Sequence, residues 1–479
     1  CYEVTSDDTF DAVPWLDLEA GDTVRIHYRE QPYRKKIGLK SVGTADNPIH
    51  ICGVSNENGA KPEIAGEDST TGPGFEDFFD TDHPEWGEAL GVIVINDSWG
   101  NKPEHIVIEN LKITGAYYAH TFTDRIGGMH NYIRNASGIY IVVGKNITIR
   151  GCEITDNGNG IFTSSNVNSI ERTTEEVLVE YNYIYDNGNE QNDDLGIPGY
   201  GRHNLYLQSK GVVVQYNRIG RLRLGAAGSS LKDRSAGTII RYNWIESAAR
   251  TLDLVEQEDA LPVQQDPRYG HDYVYGNILI NSRNDGTGLA SAGNIVHYGG
   301  DNSVDNDGNC PNGTCRNGTL EFFNNTVVII DYDDRSGDWN RDYVFELSTH
   351  ADTVNLRNNI FYGYFPNAEK YMSLMNSYGT ANIEGINWFV TDWKEGHWRD
   401  WVGTINTNGT VITGDDPGLE DIVAYDFTLA DGSQCIDAGT ALPEEITQTY
   451  DIDAMYELHQ SKTPRSVSGE AIDLGAFEH

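Results

Sequence analysis

Positive charge is what this chain has little of: 34 Lys and Arg stand against 73 Asp and Glu in 479 residues, a formal net charge of −39. Nonspecific nucleic-acid binding needs cations that release counterions from phosphate, so nucleic acid is excluded as a partner of that kind. Long apolar runs are missing too. No stretch approaches the roughly 20 residues that span a bilayer, and no basic, apolar leader is present, so the sequence reads as a mature form. Met is down to 4 and no long amphipathic helical pattern occurs, which argues against a helical protein. Cysteine is sparse, at 6 residues, and neither CxxC nor HExxH spacing is found, so neither motif points to zinc or iron.

The cysteines that are there carry two readings. Cys310 and Cys315 flank a turn-like Pro-Asn-Gly-Thr, which predicts a small loop disulfide and export to an oxidising compartment. Cys1 fits a lipidated N-terminus, the one route by which this chain would touch a membrane, and equally a chain that starts at a disulfide cysteine. The expected location is secreted or outer-surface.

What the chain has in abundance is 51 Gly, many Asn and Asp, and 10% aromatic residues, the composition of short strands joined by tight turns. One phrase recurs: an alternating apolar strand, an Asn, two or three further apolar residues, then a turn. It occurs as Val-Glu-Tyr-Asn182-Tyr-Ile, Val-Gln-Tyr-Asn217-Arg-Ile, Ile-Arg-Tyr-Asn243-Trp-Ile, Val-Tyr-Gly-Asn277-Ile-Leu, Phe-Asn-Asn325-Thr-Val and Arg-Asn-Asn359-Ile-Phe. The spacings from Asn182 onward are 35, 26, 34, 48 and 34 residues, which describes a solenoid coil of about 26 residues with loops of varying length. The corner Asn predicts a ladder of bends, its side chain bonding neighbouring backbone and its backbone tolerating a left-handed conformation.

With these phrases the chain resembles the right-handed parallel β-helix superfamily, which includes pectate lyases and the chondroitinase B and alginate lyase group. The resemblance covers residues from about 22 to the end. It opens at Ala-Gly-Asp-Thr-Val-Arg-Ile and closes with Asp415-Asp-Pro-Gly, Cys-Ile-Asp-Ala-Gly and Asp473-Leu-Gly-Ala-Phe-Glu. It implies an all-β fold: a right-handed parallel β-helix with long protruding loops. Residues 1–21 form an N-terminal segment and residues 22–479 a single domain, closed by a region from about 370 to 479.

Between Arg202 and Arg250 nine basic residues meet two acidic ones, about +7 in 49 residues, which predicts a place prepared for an anion. Aligning coils on their Asn corners sets Tyr206 and Lys232 at equivalent positions, each 11 residues before its Asn. Strand parity then turns Asn204, Tyr206, Gln208, Lys232 and Arg234 outward, with Thr251 and Asp253 on the following coil. His203 and Arg250 lie at the edges, Arg223 belongs to the same substrate-binding group, and the segments 186–202 and 256–272 form walls. The plain alternative is a surface ladder of contacts worth a few tenths of a kcal/mol each, roughly.

The resemblance implies secreted enzymes that cleave uronate polysaccharides by β-elimination, so an acidic polysaccharide is the expected partner and a monomer the expected state. That reaction needs a group to neutralise the C6 carboxylate, a base for the C5 proton and an acid for the leaving oxygen. Lys232 is the candidate base, and Arg234 with Asn204 or Gln208 the carboxylate holder. Tyr206 or His203 is the candidate acid. The phrase Ser-Leu-Lys232-Asp-Arg234-Ser resembles the Lys-bearing strand of the chondroitinase B and alginate lyase group. Where that group has an Arg one coil later, this chain has Asp253, which can pair with Lys232 and work against its role as a base.

Asp301, Asp305 and Asp307 precede Gly308 at alternate positions, which reads either as a Ca²⁺ loop or as an Asp/Asn-rich turn. No organic cofactor is expected. His297 reads as a satisfied surface histidine, and Trp388, Trp393, Trp398 and Trp401 as a sugar platform or an end cap. The competing functions are a noncatalytic glycan-binding or filament-forming solenoid, a C5-epimerase, and a glycoside hydrolase with paired carboxylates.

Overall fold

The structure is a computed structural model. It describes residues 1–72, 78, 87–97, 102–165, 168–190, 202–246, 248–283, 294–334, 342–396 and 401–479. Its strands are two to six residues long and fall mainly into three parallel sheets of 13, 11 and 11 strands. Parallel neighbours cannot be joined by a tight hairpin, so the chain must travel round before it pairs again. The three sheets receive one strand each per turn, which is a parallel β-helix.

The described chain divides into two compact units. One comprises residues 1–213, 221–231 and 259–266; the other comprises 214–220, 232–258 and 267–479. In the first, Tyr2–Val4 pairs parallel with residues 24–26, so the N-terminal segment already supplies a strand. A short helix, Asp7–Asp11, follows, capped by Ser6. Regular coils then run through Glu104–Glu109, Lys112–Thr114 and Ser137–Ile141, and again through Lys145–Arg150, Glu153–Ile154 and Asn159–Thr163.

In the second unit a coil is Ala236–Arg241, Trp244–Ile245 and Arg250–Leu254, and the next is His271–Tyr275, Ile278–Arg283 and Asn294–Tyr298. The corner asparagines form a continuous amide ladder. The backbone N–H of Asn217, Asn243, Asn277, Asn325 and Asn359 donates to the Oδ1 of the next corner Asn at 2.9 to 3.0 Å. Asn277 Nδ2 in turn donates to the carbonyls of Ile240 and Tyr275 and to Asn325 Oδ1. A buried amide has two donors and an acceptor to satisfy, and this geometry satisfies all of them.

The left-handed residue is not the corner Asn itself but the one before it: Tyr216 (φ 58), Tyr242 (φ 53), Gly276 (φ 65), Asn324 (φ 50) and Asn358 (φ 54). For the two tyrosines this costs of order 1 kcal/mol each. Their rings stack in parallel at 5.5 Å, and the ladder bonds hold the turn in place.

The C-terminal segment lies against one sheet of the second unit. Phe427, Leu429, Tyr456, Leu474 and Phe477 pack on Trp244, Ile278, Val328, Ile360 and Trp388. Trp388 is fully buried and so belongs to the core, not to a sugar platform. Trp393 stacks on Phe389 at 4.5 Å. Trp398 lies outside the described residues, as do 191–201 of the expected wall loop.

Replacing Asn277 by Ala should remove acceptors from Asn243 and donors from two carbonyls, at about 1–3 kcal/mol per orphaned group. Denaturant unfolding should show this loss, whereas Asn58→Ala on an exposed turn should change little. Equal effects would refute the ladder as a source of stability.

Candidate functional site

Along one sheet of the second unit, a single polar position recurs between inward apolar neighbours. It is Asp253 between Leu252 and Leu254, His297 between Val296 and Tyr298, and Glu346 between Phe345 and Leu347. Strand pairing stacks them directly: Asp253 opposite His297, His297 opposite Glu346, Glu346 opposite Asn376. Lys232 joins this column through its side chain, its Nζ donating to Asp253 Oδ2 at 2.9 Å.

Parity therefore set these side chains outside the coil, but they are not on open surface. Lys232 is 7% exposed, Arg234 4%, Asp253 1% and His297 4%. A roof covers them. Asp301 accepts from Lys232 Nζ at 3.0 Å and lies 3.7 Å from Arg234. Arg234 also pairs with Glu256 (3.7 Å) and Glu258 (3.4 Å). Glu256 in turn accepts the backbone N–H groups of Asp301 and Ser303 at 2.6 and 2.9 Å.

The far end of the roof is pinned by Arg316, which pairs with Asp233 and Asp272 at 2.7 and 2.6 Å, all three side chains wholly buried. The disulfide Cys310–Cys315 closes the intervening loop. His297, expected at the surface, is buried because this segment covers it.

Much of the excess positive charge between Arg202 and Arg250 is compensated by carboxylates, most of them outside that window. Besides Lys232 and Arg234, Arg218 lies 3.5 Å from Glu246, and Arg250 lies 3.6 Å from Asp253 and 3.9 Å from Glu346. In the first unit Arg223 pairs with Asp156 at 2.7 Å and lies over the Tyr117 ring, and Lys210 lies 3.7 Å from Asp266. Most of this charge is internal compensation, not a prepared anion surface.

The remaining candidates also belong to the first unit. Tyr206 extends an aromatic file with Tyr140 and Phe162, its ring edge-on to Phe162 at 4.9 Å and to His203 at 5.2 Å. His203 Nδ1 accepts the Ser229 N–H. Asn204 is fully buried and accepts from Asn187 Nδ2, while the Gln208 carbonyl receives the Thr163 and Ser165 hydroxyls.

Asp301 faces Lys232 and Arg234, whereas Asp305 accepts the N–H groups of Asp307 and Asn309 within its own turn. Among the described residues no group of three or more His, Cys, Asp or Glu side chains is arranged to hold a metal ion.

From Lys232 the hydrogen bonds continue. Asp253 Oδ1 lies 2.7 Å from His297 Nδ1, His297 Nε2 lies 2.8 Å from Ser348 Oγ, and Ser348 Oγ lies 2.6 Å from the Gly300 carbonyl. Burial pushes the Asp253 carboxyl up, but Lys232, the His297 hydrogen bond and Arg250 outweigh it and hold the group well below the usual carboxylate range. Asp301 is also lowered, Lys232 again overcoming burial. Burial works against the Arg250 cation, but Asp253 and Glu346 outweigh it and raise its pKa.

Beside the column is a cavity of about 190 Å³ lined by Arg250, His297, Gly300, Asp301, Val304, Glu346, Ser348, Ser377 and Tyr378. A larger recess of about 640 Å³ among Tyr362, Tyr364, Phe365, Lys370, Asp392 and Asp415 has its lysine taken by Asp331 at 2.8 Å. The smaller cavity is the one where cation, imidazole, carboxylate and hydroxyl groups converge. His297, Glu346 and Ser348 were not among the sequence candidates for the site. The first two were findable by carrying the parity of Leu252-Asp253-Leu254 forward to Val296-His297-Tyr298 and Phe345-Glu346-Leu347.

No family model and no curated protein matches the chain. Solved structures similar to it include pectate lyase Pel9A, at 12% identity over 96% of this chain and 89% of that one, TM-score 0.48. An alginate lyase from Paenibacillus sp. is 13% identical over 78% and 97%, TM-score 0.42. A rhamnogalacturonan lyase is 9% identical over 93% and 97%, TM-score 0.35. The parallel β-helix itself rests on the strand pairing described above.

Lys232→Met should leave Asp253 and Asp301 facing each other without their shared cation, destabilising the fold by about 3–5 kcal/mol at neutral pH. Asp253 has a lowered folded pKa, so its contribution is present above its ordinary value of 3.8 and is lost as pH falls through the folded value. The gap between wild type and variant should therefore narrow in acid. Urea unfolding across pH checks this, and a gap independent of pH would contradict it.

Proposed function

We propose that this protein cleaves an acidic, uronate-containing polysaccharide by β-elimination at the cavity beside Arg250. The observation that carries this reading is the placement of Arg250. Its side chain is 31% exposed and its contacts to Asp253 and Glu346 are long, at 3.6 and 3.9 Å. Among the described residues no close bidentate carboxylate closes its guanidinium fork, so the fork can take a uronate carboxylate at two points.

With that carboxylate neutralised, the C5 proton becomes acidic enough for a neutral base. His297 fits the part. Asp253 behind it is ionised and so calls for a proton on Nδ1, which directs the lone pair of neutral His297 to Nε2, the nitrogen on the Ser348 side. Tyr378 lines the same cavity; its hydroxyl donates to the Asn306 carbonyl and would turn from it to protonate the departing glycosidic oxygen. Lys232 then serves as counter-charge: its proton holds Asp253 and Asp301 in place, and it is not the base.

An acidic polymer and an acidic protein repel at long range, which makes the local cation more important, not less. The disulfide suits an oxidising compartment, in keeping with a secreted enzyme meeting such a polymer outside the cell.

Incubation with alginate, pectate, chondroitin and dermatan sulfates and ulvan, with and without Ca²⁺, should raise the ultraviolet absorbance of unsaturated uronate for one of them. Arg250→Ala should lower that rate about 10²–10³-fold, and His297→Gln about 10²–10⁴-fold. New reducing ends without unsaturation would favour hydrolysis, and binding without any product would favour a noncatalytic glycan binder. Either outcome overturns the lyase reading.

A further inference from the structure

The same cavity contains a hydroxyl, that of Ser348, which β-elimination does not use. Ser348, His297 and Asp253 stand in the order hydroxyl, imidazole, carboxylate, with separations of 2.8 Å and 2.7 Å. We propose that these three residues act as nucleophile, base and orienting carboxylate in hydrolysing a small acyl ester, such as an acetyl group, on a sugar hydroxyl.

The geometry is built from neighbouring coils and is stiff. Asp253 and His297 are register partners on adjacent strands, and Ser348 directly follows strand Tyr343–Leu347, itself paired with the strand that carries His297. The Ser348 backbone N–H is bonded to the Tyr298 carbonyl, which fixes where its side chain starts. Asp253 is kept ionised by Lys232 on its other oxygen, so the imidazole carries its proton on Nδ1. Nε2 of a neutral His297 is then an acceptor, and the nearest hydroxyl is Ser348.

Ser348 Oγ also lies 2.6 Å from the Gly300 carbonyl, giving its proton two acceptors. When Nε2 is protonated, it donates to Oγ and the hydroxyl proton turns to Gly300. When Nε2 is unprotonated, the hydroxyl proton turns to it and the serine is activated. Ser348 and His297 both line the cavity, with Arg250 on its wall as a cation for the developing oxyanion. A volume of about 190 Å³ admits an acetyl group and part of a sugar ring, not a long acyl chain.

The chemistry balances with water as the second reactant. Ser348 Oγ bonds to the acyl carbon as its proton passes to Nε2. The ester C–O bond then breaks, and the sugar oxygen takes that proton and leaves as the alcohol. Water attacks the acyl-enzyme, giving a proton to Nε2. The Oγ–acyl bond breaks, Ser348 recovers the proton, and the carboxylic acid departs. None of these steps depends on cleavage of the polysaccharide backbone, so this proposal stands or falls apart from the lyase reading.

The test uses the full chain with a fluorophosphonate probe, p-nitrophenyl acetate and an O-acetylated uronate polymer, following probe mass, nitrophenol and free acetate. Unsaturated uronate is measured in the same samples. The expected result is one adduct per chain on the peptide containing Ser348. Acetate release should fall at least about 100-fold in Ser348→Ala, and p-nitrophenyl butyrate should be a poorer substrate than the acetate. Wild-type labelling requires no variant to fold, and Ser348→Cys should restore labelling by a thiol-directed probe. The proposal is overturned by a folded wild-type protein that neither takes the probe at Ser348 nor releases acetate, whatever the unsaturated-uronate readout shows. It is equally overturned by acetate release that Ser348→Ala leaves intact.

Discussion

In-register stacking of one coil on the next is the constraint on which the rest of this molecule depends. In the second unit the corner asparagines enforce it, because each side-chain amide reaches the backbone of the neighbouring turns and the next amide in the file. A slip of one residue would break the amide ladder and turn every polar side chain of the column into the core. Register therefore determines which residues can meet. Asp253, His297 and Glu346 are far apart in sequence and adjacent in space solely because they hold the same position on successive coils.

Once a column of charges exists, it has to be neutralised where it is buried. An unpaired ion in a protein interior costs several kcal/mol, and the buried cations around this column are surrounded by carboxylates. Lys232 has two, and Arg316 has two. These networks also do positional work. Arg316 and Glu256 hold down the segment that roofs the column, and Lys232 holds Asp253, which in turn aligns His297. The cavity at Arg250 lies at the edge of the roof, where a cation is only partly enclosed.

The coil repeat, the Asn corners and the outward parity of Lys232 and Asp253 were legible because they depend on local alternation and on a spacing that survives loop insertions. Even the pairing of Lys232 with Asp253 could be anticipated one coil ahead. The roof could not. It is made by residues 299–316, whose partners Asp233, Asp272 and Glu256 lie 44 to 83 positions away, and nothing in a local pattern announces such contacts. For that reason a count of basic residues suggested an open anion surface where the fold places internal ion pairs. The left-handed corner residue was misplaced by one position because the Asn side chain, not its backbone, does the work at the turn. Asn204, Tyr206 and Gln208 share the parity of Lys232, with His203 at their edge, but they sit among aromatic rings and amides of the first unit.

We propose Arg250, between Asp253 and Glu346, as the place where an anionic sugar is handled. A crystal structure with a bound uronate oligosaccharide tests it most directly. The expected result is a sugar carboxylate within hydrogen-bond distance of the Arg250 guanidinium, with the same sugar facing His297 across the cavity. An oligosaccharide seated elsewhere on the protein, with Arg250 still turned only to its own carboxylates, would contradict it.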